Sequence, residues 1–243
     1  MADRTKIEWA QATWNPVTGC TPVSEACEHC YASNLAKRFW KGRKFSEIRF
    51  HRDRLKQPYK WKKPRIIFVC SMGDLFHAAV AQTWIDEILQ IVKDNHKHIF
   101  IFLTKRPHRM KFWLFPDNCW AGVTVELQSH HHRIDELLMV VAPVRFISVE
   151  PMLAAIDLKL CWRNNTGRWD ATGKPLPLKK IDWVICGAET GPGARPLDLK
   201  WARDLRDQCR VTDTPFFFKK AGNRKAIPDD LMIREYPKCL KKI

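Results

Sequence analysis

The 243-residue chain lacks any apolar run approaching the roughly 20 residues that a membrane-spanning helix needs. Its first residues also lack the apolar segment of a secretory signal. We therefore expect a cytoplasmic protein without a membrane partner. No internal repeat, phosphate-binding P-loop or Ser-His-Asp arrangement is visible. Acidic residues are few, 26 against 42 lysines and arginines, and the resulting net charge of +16 favours anionic partners.

The positive charge is concentrated between Lys37 and Arg65, where thirteen lysines and arginines face only two acids. Six aromatic residues are interleaved with them: Phe39, Trp40, Phe45, Phe50, Tyr59 and Trp61. Cations that bind phosphates, beside rings that stack on bases, are typical of a nucleic-acid surface. The alternative is a solvated basic face whose aromatic rings turn towards the core.

Continuous apolar segments of strand length recur along the chain. They are Ile66–Cys70, His98–Leu103, Cys119–Val125, Arg145–Val149, Asp182–Cys186 and Pro215–Phe218. Continuous rather than alternating apolar residues are typical of strands covered on both faces of a parallel sheet. Amphipathic segments that begin near Tyr31, Thr83, Ser129 and Asp198 are predicted to be helices.

This alternation predicts an α/β protein with a full or partial (β/α)6-type barrel, or an open doubly wound sheet as the alternative. We expect a single domain over residues 1–243. Three parts interrupt the alternation: a basic segment at 37–65, an insertion at 151–181 and a basic C-terminal tail at 219–243.

Three of the nine cysteines, Cys20, Cys27 and Cys30, fall within eleven residues. The other six are scattered, and we expect them to be small buried apolar side chains. Three thiolates on one loop can hold three corners of a metal centre. A fourth ligand, such as His29, His51 or Cys70, would complete a structural zinc site, whereas a vacant corner would suit a reactive iron–sulfur cluster.

Polar residues follow most of the predicted strands. In these strand-end segments we take as candidates Met72, Gly73, Asp74, Thr104, Lys105, Glu126, Glu150, Gly187 and Glu189. Because ligands bind at the carboxyl ends of parallel strands, we expect these residues to line one pocket. The glycines of Gly187–Gly193 could alternatively cradle a phosphate. The tandem His130-His131-His132 is expected to be the solvated first turn of a helix, because adjacent helical residues do not share a face.

The cysteine loop, with Trp14-Asn15-Pro16 ahead of it and Tyr31-Ala32 behind it, resembles the cluster loop of the radical S-adenosylmethionine (SAM) superfamily. Its first two cysteines are separated by six residues instead of the usual three. The whole chain resembles more closely a phage-associated three-cysteine-motif family, a domain of unknown function with a radical-SAM-like core. That resemblance also covers the segments Gly73–Phe76, Leu103–Pro107 and Gly187–Pro196.

The resemblance implies a radical-SAM-like partial barrel that carries a [4Fe–4S] cluster on Cys20, Cys27 and Cys30 and binds SAM. It implies that Met72, Gly73 and Asp74 meet the amino group of SAM, and that Thr104 and Lys105 face its carboxylate. Glu126 or Glu150 would contact the ribose. The loop from Gly187 through Glu189 to Gly191 would lie against the adenine.

The function expected on these grounds is a radical SAM enzyme that acts on a nucleic acid or nucleotide, in base modification or repair, and draws on an external electron donor. The alternative is a zinc-stabilised nucleic-acid-binding protein without catalysis. The sequence does not predict the oligomeric state.

Overall fold

The computed structural model describes residues 5–160, 168–169, 175–176 and 180–238. Within them the chain is a mixed α/β protein built on a seven-stranded sheet that curls into half a barrel. The described strands are β1 (Ala12–Trp14), β2 (Val17–Thr18), β3 (Arg49–Phe50), β4 (Ile66–Val69), β5 (Ile99–Thr104), β6 (Cys119–Thr124), β7 (Val144–Val149), β8 (Arg168–Trp169), β9 (Pro175–Leu176), β10 (Trp183–Cys186) and β11 (Phe216–Phe218). The described α-helices are α1 (Tyr31–Phe39), α2 (Gln82–Asp94), α3 (Pro107–Met110), α4 (His132–Leu138) and α5 (Leu199–Val211).

The strands of the large sheet follow one another in chain order, β1-β4-β5-β6-β7-β10-β11, and every neighbouring pair is parallel. All six predicted strands are confirmed within one or two residues of their expected ends. The open doubly wound alternative is wrong, because the strand order never reverses as that fold requires. A sheet wound in one direction is compatible with a partial barrel.

Successive residues of each strand point to opposite faces of the sheet, and both faces are buried. Ile67 and Val69 of β4 belong to the core that the helices cover, together with Ile88 of α2. Ile66 and Phe68 belong to a second core on the opposite face, which contains no helix. Burial on both sides explains why these strands are continuous apolar runs.

The second core is dominated by large aromatic side chains from the strands and from both ends of the described chain. Trp183 of β10 packs edge-on against Trp9, with ring centroids 6.4 Å apart, and stacks on Tyr236 at 5.4 Å. Arg234 pairs with Glu8 at 3.1 Å. The segment before β1 and the segment after β11 therefore meet across the gap between the two edge strands of the half-barrel.

The predicted insertion begins as part of the core. Its first residues bury Met152, Ile156, Leu158 and Leu160. Further on, the described part of the insertion contains the antiparallel pair β8 and β9 and, at its end, the buried Ile181. The tail predicted at 219–243 is described to residue 238, and its Leu231 is fully buried. Over the described ranges, no helix is both long enough and apolar enough to cross a membrane.

Candidate functional site at the carboxyl ends of the parallel strands

The cysteine loop is held against the carboxyl end of β4 by two glycines. Gly19 donates its amide to the Met72 carbonyl at 2.9 Å and forms a parallel bridge with Gly73. Gly19 has a φ of +102°, and a Cβ there would collide with the Glu47 carbonyl. A Cβ on Gly73 would lie 2.8 Å from the Gly19 carbonyl oxygen. Only glycine permits this close approach of two backbones.

The loop opens onto a cavity of about 890 Å³. Of the nine candidate residues at the strand ends, the cavity wall contains Met72, Gly73, Asp74, Thr104, Lys105, Glu150 and Glu189. All three loop cysteines line it as well, and each is partly exposed. Cys70, Cys119, Cys186 and Cys209 are buried, as expected, whereas Cys161 and Cys239 lie outside the described residues. The expectation of one shared pocket is therefore confirmed for these seven residues and the three cysteines.

Two cations from the end of β5 approach the thiols. The Lys105 ammonium lies 3.6 Å from the Cys27 sulfur, and the Arg106 guanidinium lies 3.4 Å from the Cys20 sulfur. Burial and the Asp74 carboxylate raise the pKa of Cys20 to about 11. Burial also acts to raise the pKa of Cys27, but the Lys105 charge and hydrogen bonds from Val23 and Ser24 outweigh it and lower that pKa. The cations would stabilise thiolates that bind a metal.

Asp74 and Thr104, both candidates for SAM contacts, are hydrogen-bonded to each other. The Thr104 hydroxyl donates to both Asp74 oxygens, at 2.8 and 2.9 Å. Arg106 donates to Asp74 at 2.8 Å, and the Phe76 amide donates at 2.9 Å. This arrangement fixes Arg106 beside Cys20, so Asp74 and Thr104 already support the cysteine loop through Arg106.

Glu126 differs from the other candidates because it lies behind the cavity wall. Its side chain is fully buried. It accepts from Ser24 at 2.7 Å and from Arg133 at 2.7 Å, and it forms an ion pair with Lys105. Burial would raise its pKa, but Lys105 and Arg133 together lower it. Of the two carboxylates expected near the ribose, Glu150 is therefore the one that reaches the cavity.

His130 corrects one expectation. It was expected on a solvated first turn, but its side chain is only 12% exposed. It lies 3.1 Å from Glu126 and 3.5 Å from Glu25. The preceding short turn, Gln128–His130, rotates this histidine towards the carboxylates. His132 remains exposed. Periodicity alone did not reveal the turn that separates these two histidines.

The loop after β10 packs on the cysteine loop from the other side. Glu189 accepts three hydrogen bonds from Arg195, at 2.6 to 2.9 Å. Arg195 also donates to the Glu25 carbonyl at 3.1 Å. A Cβ on Gly193 would lie 2.9 Å from the His29 ring. Gly187 directly follows β10, and a Cβ there would lie 3.4 Å from the Glu150 carboxyl group, although Gly187 is not part of the cavity wall.

Several residues of the site were not among the candidates predicted from the sequence. Lys219 directly follows β11 and pairs with Glu150 at 2.6 Å, so the rule of polar strand ends would have identified it. Tyr31 lines the cavity, and its hydroxyl donates to the Ser71 carbonyl at 2.6 Å. Neither Ser24 nor Arg133 carries a local signal, because their contacts join distant parts of the chain.

Across the described ranges, no three histidine, cysteine or acidic side chains converge on one point as a single metal ion requires. Of the three residues expected to complete a zinc site, His51 bonds Thr18 at 2.8 Å and is not part of the cavity wall, whereas His29 and the buried Cys70 line the same cavity as the three cysteines. An iron–sulfur cluster uses donors differently, because each cysteine binds a separate iron. Three thiols spread around one cavity could hold such a cluster.

The aromatic residues of the basic segment 37–65 fit partly a nucleic-acid surface and partly a solvated basic face with inward-turned rings. Trp61 is buried, and Phe50 stacks on Trp84 with ring centroids 4.9 Å apart. These rings turn inward. Phe39 is 61% exposed and Tyr59 is 47% exposed. The outward-facing rings are therefore fewer than the sequence pattern allowed.

Comparison with known proteins gives one match. No curated protein and no solved structure shows significant similarity to the chain. One family model, described as a protein of unknown function (DUF5131), matches residues 4–237. Since the match covers nearly the whole chain, the protein belongs to this family.

Proposed function

We propose that this protein is a radical SAM enzyme with a radical-SAM-like partial barrel, a [4Fe–4S] cluster on Cys20, Cys27 and Cys30, and a nucleic acid or nucleotide as its substrate. One observation carries the proposal. Three partly exposed thiols, two of them beside Lys105 and Arg106, line one cavity at the carboxyl ends of a parallel half-barrel. Structural cysteines are typically buried and inert, whereas these three are partly exposed.

When bound, the cluster and SAM would supply one-electron cleavage of a carbon–sulfur bond and hence a 5′-deoxyadenosyl radical that abstracts hydrogen from the substrate. The protein would position the cofactors and exclude water. Lys105 and Arg106 would offset the negative charge of the thiolates. The apolar second core closes the inner end of the half-barrel, where Phe68 lines the cavity.

The remaining candidate residues would hold SAM. Met72, Gly73 and Asp74 would meet its amino group, and Thr104 and Lys105 its carboxylate. Glu150 would face the ribose, with Gly187 and Glu189 near the adenine. Glu126 would act indirectly, because it fixes Lys105 from behind.

The exposed cations between Lys37 and Lys63 support a polyanionic substrate. Ten of them are exposed: Lys37, Arg38, Lys41, Lys44, Arg49, Arg52, Lys56, Lys60, Lys62 and Lys63. Lysines and arginines that contact phosphates release the counterions of the nucleic acid, so the protein binds it more tightly at low salt. Base modification or repair is the reaction class that we favour. The electron would come from an external donor.

Replacement of one cluster ligand tests the proposal. Protein reconstituted without oxygen with iron and sulfide is expected to bind both and, with SAM and a reductant, to release 5′-deoxyadenosine. Cys27→Ala should lose iron and reduce this product to the background, whereas Cys209→Ala, at a buried cysteine of α5, should retain both. If Cys27→Ala forms as much 5′-deoxyadenosine as the parent, the radical mechanism is wrong. Zinc without sulfide in a colourless protein would favour the zinc-stabilised binding protein instead.

A further inference from the structure

One face of α1 carries large apolar side chains that remain exposed. Tyr31, Leu35 and Phe39 are 49%, 40% and 61% exposed. Their spacing of four residues places them on one face of the helix. The adjacent face buries Ala32 and Ala36 against the protein. We call the three exposed residues the α1 stripe.

The α1 stripe begins at the cavity and leads away from it. Tyr31 and Leu35 line the cavity, and Phe39 lies one turn further along the helix. At a rise of about 1.5 Å per residue, Tyr31 and Phe39 are roughly 12 Å apart along the axis. The bond from the Tyr31 hydroxyl to the Ser71 carbonyl fixes that ring at the mouth of the cavity. A ring that is already fixed loses little entropy when a ligand stacks on it.

The sequence around the α1 stripe is basic. The chain contains no acidic residue between Tyr31 and Ser46. Lys37, Arg38 and Lys41 are exposed, and none of them forms an ion pair within the described part of the chain. The Arg38 guanidinium lies 5.1 Å from the centre of the Phe39 ring. A ligand on this surface would meet apolar faces and positive charges together.

We propose that the α1 stripe binds an unpaired segment of nucleic acid that leads into the cavity, with bases against Phe39 and Tyr31 and phosphates on Arg38 and Lys41. This inference rests on the proposed function and deepens it, because it specifies an unpaired strand as the substrate. In a duplex the faces of the bases are stacked on each other and cannot meet a protein ring. A lipid surface would also suit apolar and basic residues, but it would not explain why the stripe ends in a cavity.

Binding of labelled oligonucleotides, followed by fluorescence anisotropy, tests the inference. Phe39→Ser should weaken binding of oligo(dT) or oligo(U) about tenfold, the effect of losing one stacked base. The matched control is Phe112→Ser: Phe112 is 71% exposed and has the Lys111 ammonium 5.6 Å from its ring. This control should bind like the parent. Comparison of oligo(dT) with oligo(U) shows whether the strand is DNA or RNA.

The charge contribution is tested separately. The double variant Arg38→Glu/Lys41→Glu should weaken binding and make it less sensitive to salt, because fewer counterions are released. The inference is overturned if Phe39→Ser binds the single strands like the parent, or if Phe112→Ser weakens binding equally. It is also overturned if Phe39→Ser affects a blunt duplex as strongly, or if it instead impairs binding to anionic phosphatidylglycerol vesicles.

These measurements need neither SAM nor a reductant, so their result does not depend on whether the proposed radical mechanism is correct. Parent-like binding by Phe39→Ser, with intact formation of 5′-deoxyadenosine, would reject the α1 stripe and retain the radical mechanism. Loss of single-strand binding in Phe39→Ser, in a protein that never forms 5′-deoxyadenosine, would retain the stripe and reject the mechanism.

Discussion

Two glycines determine how closely the cysteine loop approaches β4. Gly19 occupies the left-handed region and touches the backbone of Glu47, whereas Gly73 touches Gly19 itself. Cys20 follows Gly19 directly, so any shift of this backbone moves the first thiol. Gly42 also has a positive φ, of +88°, but an added Cβ there would meet no atom within 4 Å. A comparison of Gly19 with Gly42 therefore separates the cost of a positive φ from the cost of a steric collision.

An alanine substitution is expected to destabilise the protein more at Gly19 than at Gly42. Gly42→Ala introduces only the cost of a left-handed alanine, about 1 kcal/mol. Gly19→Ala adds a collision with the Glu47 carbonyl and should reduce the free energy of unfolding by at least about 2 kcal/mol. Urea denaturation of both variants measures the difference. Equal losses would mean that the close approach at Gly19 is easily relaxed.

At the scale of elements, one buried carboxylate joins three parts of the chain. Glu126 follows β6, Arg133 belongs to α4, and Lys105 follows β5. Ser24, from the cysteine loop, donates to the same carboxylate. Removal of one member of a buried ion pair leaves the partner charges uncompensated. The position of the cysteine loop therefore depends on a carboxylate that does not itself line the cavity.

Glu126→Gln should destabilise the protein by about 3 kcal/mol at neutral pH, because Lys105 and Arg133 lose their counterion. The pKa of Glu126 is lower in the folded protein than its ordinary value of 4.5. The stabilisation is therefore complete above about pH 4.5 and is lost as the pH falls through the lower pKa of the folded state. Denaturant unfolding at several pH values should show the parent and the variant converging in acid.

The matched control is Glu87→Gln, which removes an exposed ion pair with Arg52 at 3.2 Å. We expect a loss below about 1 kcal/mol at neutral pH. A loss as large as that of Glu126→Gln would show that burial does not set the strength of the Glu126 network.

At the scale of the whole molecule, the half-barrel is held together across its gap by the two ends of the described chain. Tyr236 stacks on Trp183 and packs edge-on against Phe217 of β11. Glu8, which precedes β1, pairs with Arg234. The edge strands β1 and β11 do not pair with each other, so these contacts replace the hydrogen bonds of a closed barrel.

Tyr236→Ala should reduce the free energy of unfolding by about 2 kcal/mol, less than the loss of a fully buried ring, because Tyr236 is half-buried. Tyr59→Ala, at an exposed tyrosine that bonds Asp94, is the control and should cost less than about 1 kcal/mol. Thermal or urea unfolding gives both values. An equal effect of the two substitutions would show that the contact of Tyr236 with Trp183 and Phe217 does not stabilise the closed half-barrel.

Much of the fold could be predicted because its signals are local. Strands buried on both faces are apolar throughout, as in Ile66–Val69, and Asp198 caps α5 by accepting from the Lys200 amide at 2.8 Å. Strand β1 was missed because it has only three residues and its middle residue is Thr13, which lines the cavity. Its strand character comes from pairing with β4, which no local pattern shows.

The sequence by itself determined the parallel α/β sheet, the faces of the long helices and the distinction between three clustered cysteines and four buried ones. Local periodicity and burial preference are sufficient for these features. The tertiary structure alone decided that Lys105 and Arg106 approach the thiols, that Glu126 lies behind the cavity and that the half-barrel closes through Tyr236. These contacts join residues far apart in the chain, and their geometry depends on how the whole sheet curls.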